Sequence, residues 1–164
     1  MSGFSIETRI DRPPAAVWAE LTDLEHAPAW MPGIASIALD EDGPLRQGAV
    51  YRFRVDGLKA ELQKGIVTRL QPQQELALST SRGKVTATYT YRLSPDGGGT
   101  AVTLRADCAV SGWLRPLAPF LGFLMKRSDS GQLQALKQQL EGEETTRQNV
   151  LEANQESHSR PPGD

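Results

Sequence analysis

Few residues in this chain have side chains suited to chemistry at neutral pH, and they are scattered. His26 is the only histidine in the stretch that patterns as a folded domain, since His158 lies in a polar tail. An imidazole before Trp30 is expected at the surface; at the mouth of a cavity it would be matched to general-base work. Cys108 is the only cysteine. It falls on the apolar side of its strand without a visible base partner, so it reads as a small core residue rather than a nucleophile. No second His or Cys stands at metal-ligand spacing, so no metal and no other cofactor is expected. Tyr89 and Tyr91 alternate with Val85, Ala87 and Leu93 on one face of a strand. Their hydroxyls need a partner if buried, and could orient a carbonyl or act as an acid. Ser128, Asp129 and Gln132 follow an apolar helical stripe. Asp129 sits at its edge and reads as solvated, while Ser128 and Gln132 lie nearer its centre.

That stripe belongs to Leu114 to Glu141, read as one long helix. Leu117, Leu121, Leu124, Met125, Ala135 and Leu136 recur at helical spacing. At about 1.5 Å per residue the helix would span roughly 40 Å. Polar groups in such a stripe suit a helix packed over a hollow better than one packed on a solid core.

The rest of the chain supplies the elements that would frame the hollow. Phe4 to Ile10 alternates as a strand, and Asp11-Arg12-Pro13-Pro14 stops it. Pro14 suits a first helical turn, so a short helix is expected from Pro14 to Thr22 and a second short piece from Asp23 to Ala29. Trp18 and Trp30 read as packing anchors for these helices. The alternative is that Trp30, Met31 and Pro32 form a cavity rim. From Ile34 onward the period changes to two. Strands are expected at Ile34 to Asp40, Ala49 to Val55, Leu58 to Leu70, Glu75 to Ser81, Lys84 to Ser94 and Thr100 to Val110. Asp56-Gly57, Arg82-Gly83 and Pro95 to Gly99 mark turns. In Leu58 to Leu70, the residues Leu58, Ala60, Leu62 and Ile66 are expected to face inward. Consecutive strands with short turns imply an antiparallel meander. Its apolar face needs a cover, and the long helix is the only element large enough.

Composition narrows the classes. The chain has 164 residues, 38% of them hydrophobic, with 18 basic against 20 acidic side chains. That is one domain's worth of material, placed at 1–141, with a polar tail at 142–164 expected to be disordered or loosely helical. No Lys/Arg-rich block points to nucleic acid. No apolar run is long enough for a transmembrane segment. Met1 to Ile10 lacks an apolar h-region, so no signal peptide is expected. A lone cysteine fits a reducing, cytoplasmic setting. Phe120 and Phe123 fall off the inward stripe and are expected to pack under a loop or at a homodimer interface rather than on a membrane.

The order strand, two short helices, six strands, long helix resembles the helix-grip fold of the START/Bet v 1-like superfamily. More narrowly, the chain resembles the polyketide cyclase/dehydrase branch known as SRPBCC. The likeness rests on Ile10-Asp11-Arg12-Pro13-Pro14-Ala15-Ala16-Val17-Trp18, on Asp23 to Ile34, and on the helix closing in Leu133 to Glu141; it covers Phe4 to Glu141. It implies an α+β fold: a curved antiparallel sheet of about seven strands wrapped around a long C-terminal helix. It also implies a hydrophobic cavity between sheet and helix. Relatives use that cavity for lipids, hormones or polyketides, and a minority catalyse cyclisation or dehydration. No invariant catalytic set carries across.

The expectation is therefore binding or transport of a small hydrophobic, lipid- or polyketide-like ligand. The cavity should be lined by Trp30, Tyr51, Phe53, Tyr89, Tyr91, Leu104, Leu121, Met125, Ser128 and Gln132. Two alternatives stay open. One is a cyclase or dehydratase with Tyr89 or Tyr91 as acid and Asp129 or His26 as base. The other is a partner-binding domain whose cavity has collapsed.

Overall fold

A computed structural model describes residues 2–56, 61–117 and 131–158. Its elements are β1 (Ser2–Ile10), α1 (Pro14–Thr22), a 3-10 helix (Leu24–Ala29), β2 (Ile34–Leu39), β3 (Val50–Val55), β4 (Gln63–Gln71), β5 (Glu75–Arg82), β6 (Val85–Asp96), β7 (Gly99–Val110), a second 3-10 helix (Gly112–Leu117) and α2 (Gln132–His158). The seven strands form one antiparallel sheet in the order β1-β7-β6-β5-β4-β3-β2. With its helices this is the helix-grip α+β architecture that the element order predicts.

Local chemistry sets most boundaries. Pro13 is extended (ψ 154°) and Pro14 begins α1, where a missing N–H costs nothing because it would have no helical acceptor. The β6–β7 hairpin turns on Gly97 and Gly98, with φ of 54° and 86°, the left-handed pair that a two-residue turn between twisted strands requires. Strands β6 and β7 alternate as expected, with Tyr91, Leu93, Val102, Leu104, Ala106 and Cys108 buried.

Two expectations are corrected. In β4 the inward face is Gln63, Gly65 and Val67. Leu62 and Ile66 are 45% and 43% exposed, while Leu58 and Ala60 lie outside the described residues. Directly opposed residues of an antiparallel pair share a face. The register Tyr51↔Gly65 and Phe53↔Gln63 therefore commits the odd positions to the interior. Among the described residues the strand runs from Gln63 to Gln71.

The second correction concerns the terminal helix. Leu114 lies in a 3-10 helix holding Pro116, and α2 runs from Gln132 through the polar stretch to His158. Leu121, Leu124, Met125, Ser128 and Asp129, with Phe120 and Phe123, lie outside the described residues.

The core is asymmetric. Helix α1 packs on β6 and β7, and α2 packs on β1. Leu133, Leu136 and Leu140 of α2 are buried with Ile10, Val17, Leu21, Leu76 and Val102. Lys137 Nζ donates to Arg9 O at 2.5 Å, and Glu141 Oε1 accepts the Asp11 N–H at 2.9 Å. These bonds hold α2 to the β1 side and to one end of the sheet. Among the described residues, no helix fills the other end, over β2 to β6. Among the described residues no helix is long and apolar enough to cross a membrane.

Candidate functional site: a cavity over the open end of the sheet

A cavity of about 410 Å³ occupies that unfilled end. Its walls are Ile37 of β2, Tyr51, Phe53 and Val55 of β3, Gln63 of β4, Leu78 and Thr80 of β5, and Tyr89 and Tyr91 of β6. Gln132, the first residue of α2, and the loop Met31, Pro32, Gly33 with Ile34 are its other described lining residues. The volume lies within the usual range for small-molecule sites. Leu78, Tyr91 and Gln132 are buried at the deep end, whereas Pro32 and Gly33 are exposed. Ile34, Val55 and Gln63 stand at strand ends and are half-buried. The mouth is therefore at the end of the sheet where β2 and β4 begin and β3 finishes. The bond from Asp56 N–H to Gly33 O, 2.8 Å, ties the rim loop to β3.

The deep end carries a buried polar pair. Tyr91 Oη donates to Gln132 Oε1 at 2.8 Å, linking mid-sheet to the start of α2. Trp30 backs the Tyr91 ring edge-on, with centroids 5.9 Å apart and planes at 89°, the geometry that opposed ring quadrupoles favour. On the opposite wall Tyr51 lies 5.8 Å from Phe53, ring to ring. A Cβ at Gly65 would overlap the Tyr51 ring and hydroxyl, so the glycine opposite Tyr51 is what lets that ring lie flat on the sheet. Tyr51 Oη reaches Ser79 O at 3.4 Å, and burial pushes its pKa above the ordinary phenol value. It stays protonated across the physiological range.

Five of the ten residues expected at the cavity line it: Tyr51, Phe53, Tyr89, Tyr91 and Gln132. Trp30, 1% exposed, stands behind Tyr91 rather than at the wall. Leu104 is fully buried opposite Tyr91 in β7 and is not among the described lining residues. Leu121, Met125 and Ser128 lie outside the described residues. Sequence reasoning missed Ile37, Leu78, Gln63 and Thr80 as lining. Leu78 and Thr80 could have been found through register, since they oppose Tyr89 and Ala87. Gln63 was hidden by the inverted reading of β4.

Of the candidate chemical groups, Tyr89 and Tyr91 line the cavity, Asp129 lies outside the described residues, and His26 and Cys108 stand elsewhere. His26 Nδ1 is 2.6 Å from Glu20 Oε1, bridging the first 3-10 helix and α1, away from the cavity. Burial raises the Glu20 pKa, the nearby His26 opposes this, and Glu143 and Asp23 add to it. Cys108 is buried, and burial pushes its thiol pKa up. Among the described residues no group of three His, Cys, Asp or Glu could hold a metal. The described wall thus offers phenols, amides and one threonine hydroxyl, with no carboxylate, imidazole or thiol.

The family model described as polyketide cyclase / dehydrase and lipid transport matches residues 1–141. The chain belongs to this family. Several solved structures share its fold. An aromatase/cyclase, Zhui, from Streptomyces sp. R1128 superposes with a TM-score of 0.65 at 20% identity, over 85% of this chain and 93% of that one. Ara h 8.0201 gives 0.68 at 18% identity, over 85% and 97%. CalU16 from Micromonospora echinospora gives 0.58 at 24% identity, over 85% and 74%. At these identities the likeness extends to the fold alone. No curated protein matches this family member in sequence.

Proposed function

We propose that this member of the family binds and carries a small hydrophobic ligand, lipid- or polyketide-like, in the cavity between β2–β6 and the start of α2. The observation that carries this reading is the composition of the wall. Among the described lining residues, apolar and aromatic side chains surround the buried Tyr91–Gln132 pair, and no carboxylate or imidazole base stands with them. An apolar body buried there is driven by roughly 25 cal/mol per Å² of area removed from water, before association costs. The polar pair would recognise one hydrogen-bonding group on it. The lone buried Cys108 fits a reducing, cytoplasmic setting.

Native mass spectrometry of protein purified from its own host, with extraction of whatever co-purifies, tests the reading. A bound apolar molecule is the expected result. Finding none, together with no thermal shift across a lipid and polyketide panel, overturns it.

The family description also favours a second reading, a cyclase or dehydratase. Incubation with a poly-β-ketone surrogate separates the two. Carriage leaves its mass unchanged, and dehydrative cyclisation removes water. The partner-binding reading needs a collapsed interior, against which the open cavity stands.

A further inference from the structure

Among the described residues Trp113 is the most exposed large hydrophobic residue, at 77%. The chain's other tryptophans, Trp30 and Trp18, are buried and half-buried. Its position is built. Ser111 sends both its N–H (2.9 Å) and its hydroxyl (3.3 Å) to Lys84 O, fastening the end of β7 to the β5–β6 turn. Gly112 then turns the chain at φ 70° into the short 3-10 helix. The Lys84 side chain lies against Gly112, and the indole of the next residue is presented to solvent.

The same end of the sheet gathers exposed cations. Arg82 ends β5, Lys84 lies in the turn, Arg115 follows Trp113, and Lys64 lies at the start of β4. Leu62 is exposed there too. Among the described residues the acids at this end are Glu61, which pairs with Arg82 at 2.6 Å, and Asp56. Among the described residues these cations, with the exposed Arg54 near the end of β3, outnumber the two acids, on a chain whose net charge is −2. Because β5 ends where β4 begins, this is also the end where the cavity opens.

An indole and a leucine among lysines and arginines match one kind of partner. An anionic bilayer surface takes aromatic rings at headgroup level and attracts the surrounding cations. We propose that this end of the sheet docks on an anionic lipid surface through Trp113, Leu62, Lys84 and Arg115. Docking turns the cavity mouth toward the bilayer. Its use for loading the cavity rests on the ligand-carriage reading; the docking itself does not.

Co-sedimentation of the full chain with phosphatidylcholine vesicles, with and without phosphatidylglycerol, tests the proposal at low salt. Binding is expected only with phosphatidylglycerol. It should fall about tenfold in Trp113→Ala and in the double variant Lys84→Glu/Arg115→Glu, and weaken as salt rises. The tryptophan emission should shift to the blue on binding, and the shift should vanish in Trp113→Phe. All these positions are exposed, and matching melting curves will establish that the variants fold. Failure to sediment with anionic vesicles overturns the proposal, as does unaltered binding of Trp113→Ala. So does a Trp113→Ala effect confined to self-association, which would make the face a protein interface. Uptake of an apolar probe in lipid-free solution, unchanged in Trp113→Ala, keeps failure of docking distinct from failure of ligand carriage.

Discussion

The Tyr91 hydroxyl donates to Gln132 Oε1 at 2.8 Å inside a cavity wall that is otherwise mostly apolar. The bond joins the middle of β6 to the first turn of α2, so it fixes the deep end of the cavity and the seat of the helix together. Tyr91→Phe removes the donor and leaves a buried carbonyl oxygen without it. The expected loss is about 1–2 kcal/mol in urea unfolding. Gln132→Leu in the Tyr91→Phe background should recover part of it, giving a coupling energy of about 1 kcal/mol in a double-mutant cycle. Additive losses would show that the bond contributes nothing in solution.

Gly65 and Tyr51 form a second dependent pair. Gly65→Ala places a methyl where the Tyr51 ring lies, and should destabilise by about 1–3 kcal/mol as overpacking does. In a Tyr51→Ala background the same change should cost little, since the ring is gone. Equal costs in both backgrounds, read by chemical denaturation, would count against the ring lying over the glycine.

Val55 is half-buried at the rim. Val55→Trp should narrow the entrance, reducing uptake of a fluorescent apolar probe by about tenfold, the effect of roughly 1.4 kcal/mol. The melting temperature should stay within a few degrees, because a half-buried rim site can accommodate the ring. Unchanged uptake would move the entrance elsewhere.

Two carboxylates respond to pH with opposite sign. The Asp11 N–H and Lys137 hold the Glu141 pKa below its ordinary value of 4.5. The stability it contributes is thus present above pH 4.5 and is lost as pH falls through the lower folded-state pKa. Glu141→Gln should destabilise at pH 7, with the difference shrinking in acid. Burial raises the Glu20 pKa above 4.5, despite His26. Its ionised form is disfavoured in the folded protein above that raised pKa. Glu20→Gln should therefore stabilise at pH 7, and the gain should fade as pH falls towards 4.5. Urea midpoints across pH 3 to 8 would check both; parallel curves for wild type and variants would refute them.

How much of this was legible in the sequence depended on how local the signal was. Proline spacing placed α1 at Pro14–Thr22. The alternation of β6 put Tyr89 and Tyr91 on the cavity face. In β4 the same rule misled, because the inward positions belong to Gln63 and Gly65, one polar and one lacking a side chain. Their role is to leave room for Tyr51 and the cavity, which no property of β4 itself displays. The end of the terminal helix was read too early for a different reason. Its inward stripe ends at Leu140, but Glu, Gln, Arg and Ala beyond it favour helix without burial, carrying α2 to His158. The Tyr91–Gln132 bond was not readable at all. Each residue was assigned to the right face, but only the placement of α2 against the sheet brings them together.

The sheet order also sets a schedule for synthesis. β1 is made before the other six strands, yet among the described residues its strand partner is β7, with Ile10 paired to Thr100 and Ser2 to Cys108. Strands β2 to β7 can zip up through successive hairpins as they emerge. The opening strand must wait for nearly the whole domain to leave the ribosome. Contacts so distant along the chain slow assembly, and until they form the nascent protein carries two unmatched strand edges, the kind that invite aggregation.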